Sequence, residues 1–127
     1  MFLTTVLFTL FTLCLSDCPI VLNKSNNSLN KKTVRIMQYN VEWLFINEYN
    51  ECPGDGCAWN NQTDALVHLS YVSQAISEVN PDIVNVCEVE GCDELGMLTD
   101  ELEDRGSLGF KGFIKEGTDT STGQNVG

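Results

Sequence analysis

Two short stretches place polar side chains where an apolar run ends. Tyr39-Asn40-Val41-Glu42-Trp43 follows residues 34–37, and Cys87-Glu88-Val89-Glu90 follows residues 83–86. In α/β arrangements, ligands gather beyond strand ends, where side chains of neighbouring strands converge. A carboxylate and an amide oxygen set there are hard donors. They suit Mg2+ or Mn2+, ions that keep several waters and need only one or two protein ligands. Asn40 and Glu88 are therefore the candidate metal ligands. A plainer role is also open, with Asn40 as a turn former and Glu88 as a solvated strand end. Spacing alone does not choose. His68, the one histidine of the chain, falls inside a helical pattern, where such a residue is more often at a surface or boundary than catalytic.

The elements that must position these groups follow from periodicity. Residues 33–41 are β-rich with partial alternation and predict a strand. Residues 47–61, rich in Asn, Gly and Cys, predict a loop in which Cys52 and Cys57 flank a turn sequence. From Thr63 or Asp64, either a good N-cap, apolar residues recur at three- and four-residue spacing: Leu66, Leu69, Val72 or Ser73, Ile76 and Val79. Asn80-Pro81 stops that helix. Residues 82–87 predict the next strand, so a helix leads into a strand as in the return half of a βαβ unit. That implies a mixed or parallel sheet under helices. Residues 93–104 predict a second helix with Leu95, Leu98 and Leu102 on one side. Residues 110–115 predict another strand, residues 118–123 a turn-rich segment, and Asn125-Val126 the opening of a strand that the sequence cuts off.

The 127 residues, 43% hydrophobic and 20% charged, suffice for one modest domain. A formal charge of -11 argues against tight non-specific binding to nucleic acid, which needs Lys and Arg. It leaves room for an enzyme that meets a polyanion through a bound divalent cation. Residues 1–16 are uncharged, apolar and interrupted by Thr and Ser; a spanning helix needs about 20 apolar residues. They predict a cleaved secretory signal, which leaves a secreted mature chain with no transmembrane segment; an uncleaved anchor or a buried N-terminal segment is the alternative. Residues 17–32 predict a flexible polar leader. Asn23, Asn26 and Asn61 open N-glycosylation sequons, which agrees with export. Cys18, Cys52, Cys57, Cys87 and Cys92 remain after signal removal, and an oxidising compartment pairs such residues. Local bridges Cys52–Cys57 and Cys87–Cys92 are expected, leaving Cys18 for a partner elsewhere.

The segment Val34-Arg35-Ile36-Met37-Gln38-Tyr39-Asn40-Val41-Glu42-Trp43-Leu44-Phe45 resembles the opening motif of the endonuclease/exonuclease/phosphatase superfamily, a strand ending in Asn. Pro81-Asp82-Ile83-Val84-Asn85-Val86-Cys87-Glu88-Val89 is similar to its second motif, where a strand ends in a metal-binding Glu. Thr122-Gly123-Gln124-Asn125-Val126 is similar to the stretch that opens the family's next sheet strand. Together these cover residues 33–127. The resemblance implies an α+β fold, the N-terminal part of a four-layer α/β/β/α sandwich of the deoxyribonuclease I-like (DNase I-like) type.

It also implies that Asn40 and Glu88 hold the catalytic Mg2+ or Mn2+. Cys87 stands where the family often has Gln, and Glu42 and Glu90 read as solvated acids. The implied activity is hydrolysis of a phosphodiester or phosphomonoester, foremost by a secreted nuclease acting as a monomer. A phosphatase or phospholipid-headgroup hydrolase of the same fold is the alternative, as is a non-catalytic secreted binding module. Family enzymes also use a downstream Asp-x-Asn pair and a terminal Ser-Asp-His motif. Neither occurs here, so the expectation is a chain that stops before its catalytic His motif and is inactive alone.

Overall fold

Strand β1 (Ile36–Leu44) alternates apolar and polar residues, and the alternation assigns its faces. Val41 is fully buried and Met37 and Tyr39 pack beside it against the helices, while Ile36, Gln38 and Asn40 face outward. Residues 33–50, 59–107, 109–115, 117 and 125–127 are described in this computed structural model. The predicted signal at 1–16, the leader at 17–32, Asn23, Asn26, Cys18, Cys52 and Cys57 lie outside the described residues.

Helix α1 (Gln62–Val79) returns the chain to strand β2 (Ile83–Val89), which pairs with β1 in parallel from Ile36↔Ile83 to Asn40↔Cys87. Helix α2 (Cys92–Asp104) follows, and strand β3 (Asn125–Val126) adds to the other side of β2 in antiparallel sense. The sheet is mixed, ordered β1-β2-β3. The result is a small α+β domain with two helices, in keeping with the expected class at that coarse level. Among the described residues no helix is long and apolar enough to cross a membrane.

Helix α1 begins slightly before the predicted cap. Asn61 is its N-cap: the side-chain oxygen accepts from the Asp64 N–H at 3.0 Å, and the side-chain amide donates to the Asp64 carboxylate. The buried stripe is Ala65, Leu69, Val72, Ser73 and Ile76. Leu66 and Val79, placed on that face from spacing, are instead 46% and 42% exposed. The stripe is one residue out of phase at its start, because small Ala65 lets the helix approach the sheet. At the other end Asn80 adopts the left-handed conformation (φ 48°) and its N–H donates to Ile76. Arg35 donates to the carbonyls of Val79 and Asn80, a cation set against the helix C-terminus.

Helix α2 packs Leu95, Leu98 and Leu102 into the same core, as its spacing predicts. Arg105, at its C-terminal end, donates to Ser73 Oγ at 2.7 Å and to Ser70 Oγ at 2.6 Å, which hooks α2 onto α1.

The strand predicted at 110–115 does not form. Only Lys115 bridges to Val126, and the preceding residues run irregularly along α2. Gly112 presses against Leu95 so closely that a Cβ there would stand 2.9 Å from Leu95 Cγ. Phe110 and Ile114 lean on the core, so the segment satisfies its apolar residues against a helix and makes no ladder.

Candidate metal centre

At Asn40 the two strands stop matching step for step. From Asn40 to Leu44 on β1 the ladder crosses from Cys87 to Val89 on β2, so β1 bulges. Within the bulge Glu42 (φ 53°) and Trp43 (φ 65°) are left-handed, and across from it so is Glu88 (φ 68°). A residue with a Cβ pays for that conformation, at about 1–3 kcal/mol each, and such residues cluster where structure serves a site. The left-handed step at Glu88 brings its side chain to β1. Asn40 Nδ2 donates to Glu88 Oε1 at 2.7 Å, and Asn40 Oδ1 accepts from the Glu42 N–H at 2.9 Å. The two residues singled out from sequence are thus in direct contact, 48 positions apart in the chain.

The donor set fits a hydrated hard cation. Glu88 is partly exposed and Asn40 exposed, so water reaches both. Asn40 Oδ1 has a second lone pair beyond its bond to Glu42, and the Glu88 carboxylate has acceptor sites beyond its bond to Asn40. Among the described residues no group of three His, Cys, Asp or Glu is arranged to hold a metal ion. Two protein ligands and a shell of water is the coordination Mg2+ accepts.

Comparison with protein-family profiles, characterised proteins and solved structures finds no match to this chain.

Cys87 is a free thiol, so the expected Cys87–Cys92 bridge is not made. The β2 register sets Cys87 opposite Asn40, and its sulfur turns to the Tyr39 carbonyl at 3.7 Å. Cys92, at the first turn of α2, is disulfide-bonded. The Cys52–Cys57 pairing lies outside the described residues. Asn61 is exposed, as a glycan acceptor must be, with its amide engaged in the helix cap.

His68 lies half-buried on α1 with Nε2 2.6 Å from the Val41 carbonyl, and its ring packs on Trp59 at 4.8 Å between centroids. It is a boundary residue holding backbone, as a helix position suggested.

Glu42 is exposed, in keeping with a solvated acid, whereas Glu90 is not. Burial pushes the Glu90 carboxyl from 4.5 up to about 7, reinforced by the charge of Glu94, a hydrogen bond to it, and the charge of Glu48. Glu94 is 3% exposed, and its Oε1 accepts from the Asn47 N–H at 3.4 Å. This carboxyl pair joins the end of β2 to the start of α2. Nothing in the sequence marked it, because acids at helix starts are usually solvated.

The folded state holds the Glu90 proton to higher pH than the unfolded chain does. The contribution to stability is therefore fully present below about 4.5 and is lost as pH rises through about 7. Glu90→Gln, which keeps a neutral hydrogen-bonding group, should remove that decline. Urea midpoints compared at pH 5 and pH 8 check it: the wild type should lose more on going to pH 8 than the variant. Equal losses would place Glu90 in solvent.

Proposed function

We propose that this chain carries the metal-binding corner of a secreted, divalent-cation-dependent phosphodiesterase, with nuclease action the leading reading. The fold proposed for it is the four-layer sandwich of the endonuclease/exonuclease/phosphatase superfamily, to which β1 and β2 would contribute adjacent strands. One observation supports the reading above the others. Asn40 and Glu88 meet at 2.7 Å across two parallel strands, at a corner built from three left-handed residues. A turn former and a solvated acid would not need that corner.

In this reading Glu88 supplies the negative charge that holds Mg2+ or Mn2+, and Asn40 supplies an oriented amide beside it. The bound ion would polarise the phosphoryl oxygens and stabilise the leaving oxygen of an in-line displacement. Asn40 is oriented by the Glu42 N–H, so its amide enters the site already fixed. His68 is committed to the Val41 carbonyl and does not serve as a base for water in this scheme. Hydrolysis by the 127 residues alone is therefore expected to be undetectable.

The experiment uses the full-length protein with bis(p-nitrophenyl) phosphate and with DNA. Hydrolysis should need Mg2+ or Mn2+ and stop with EDTA. Release of inorganic phosphate from inositol phosphates, with DNA untouched, would favour the phosphatase reading. Turnover by the 127-residue chain itself would place the chemistry elsewhere.

A further inference from the structure

We propose that His68 is a positioning residue for this metal centre: it holds the Val41 carbonyl and so fixes the bulge that turns Asn40 toward Glu88. The proposal rests on the reading of Asn40 and Glu88 as ligands.

The argument starts from the backbone. In a bulge a strand leaves its ladder, and its carbonyls need other partners. Val41 is 1% exposed, so bulk water does not serve it. His68 Nε2 does, at 2.6 Å, reaching across from α1. A carbonyl only accepts, so Nε2 carries the proton and the tautomer is set by this bond.

The ring is itself held. Trp59 stacks on it at 4.8 Å with a 30° tilt, and the Trp59 backbone N–H donates to the Tyr49 carbonyl at 2.9 Å. Val41 sits between Asn40, the ligand, and Glu42, the first left-handed residue. Two successive left-handed residues with side chains persist only when their surroundings over-determine them. The local bonds are the Glu42 N–H to Asn40 Oδ1 and the Phe45 N–H to the Trp43 carbonyl at 2.8 Å. Both lie within the kinked segment itself. The Glu90 N–H donates to the Leu44 carbonyl at 3.2 Å and holds the far end of the kink on β2, while His68 ties its start, at Val41, to a helix.

The test separates the ring from its donor. His68→Phe keeps the aromatic packing on Trp59 and cannot donate, whereas His68→Gln keeps an N–H donor and gives up the ring. Mn2+ is titrated into the full 127-residue chain while paramagnetic broadening of the Asn40 side-chain amide is followed, a readout that works for weak binding. His68→Phe should raise the Mn2+ concentration for half-broadening about tenfold, the lower end of the loss when a residue orienting a metal ligand is removed, and His68→Gln should stay near wild type.

Wild-type broadening in both variants overturns the proposal, and so does an equal loss in both, which would assign the effect to packing. Glu88→Gln is the control on the underlying reading. If it binds Mn2+ as wild type does, both ideas fail. If it loses Mn2+ while His68→Phe does not, only this one fails. Should His68→Phe not fold, the wild type decides. A slowly exchanging His68 Hε2 proton with scalar coupling to the Val41 carbonyl carbon supports the bond, and its lack overturns the proposal.

Discussion

Glu88→Gln is expected to lower Mn2+ affinity, and metal-dependent hydrolysis by the full-length protein, by at least about a hundredfold. Loss of groups that merely orient ligands already costs about 10–100-fold. Asn40→Ala should cost less, about tenfold, because an amide offers a dipole where a carboxylate offers a full charge. The substitution at Glu88 is nearly isosteric. A Gln carbonyl can still accept from Asn40 Nδ2, which now bonds Glu88 Oε1 at 2.7 Å. The corner should therefore keep its shape while losing its charge, and thermal stability without metal should hardly move. Unchanged hydrolysis in Glu88→Gln would show that the site lies elsewhere.

Leu44→Ala should destabilise the fold by about 3 kcal/mol, within the range of 2–5 for a buried Leu truncated to Ala. Leu44 is 0% exposed, pairs with Val89 where the ladder resumes after the bulge, and sits in the core with Val41, Ile46 and Leu95. Small domains hold only about 5–15 kcal/mol in total, so the loss is a large share. A urea titration checks it, with a lowered midpoint at unchanged slope. A loss below about 1 kcal/mol would mean that the core closes over the gap easily.

What the sequence made legible is the scaffold, and the reason is periodicity. Ile83 to Val86 reads as a strand because β-branched residues follow a Pro stop. Leu95, Leu98 and Leu102 read as one helical face because nothing competes for it. The phase of α1 was harder, since Leu66 and Ala65 are both apolar and only packing against β1 decides between them. Residues 110–115 carry the composition of a strand, yet Gly112 meets Leu95 at a distance only glycine allows, and the chain follows the helix. Local pattern does not contain that contact.

That Asn40 and Glu88 lie side by side at the ends of adjacent strands was legible, and the means of joining them was not. Left-handed backbone at Glu42, Trp43 and Glu88 has no signature in residues that normally avoid it. The partner of His68 is a backbone carbonyl 27 residues away, which leaves no mark in side-chain spacing. The Cys87–Cys92 pairing failed for a related reason. Nearness in sequence says little when one residue sits in a strand, its sulfur on the Tyr39 carbonyl, and the other opens a helix.

The separation of 48 positions between Asn40 and Glu88 has a kinetic side. Helix α1 lies inside that span and can form within about a microsecond, while closing a loop of this length waits for β1 to find β2. The corner is thus expected to assemble after α1. A cation bridging the two side chains would act as a reversible cross-link on a loop already closed. It would leave the folding rate nearly untouched and slow the escape from the folded state.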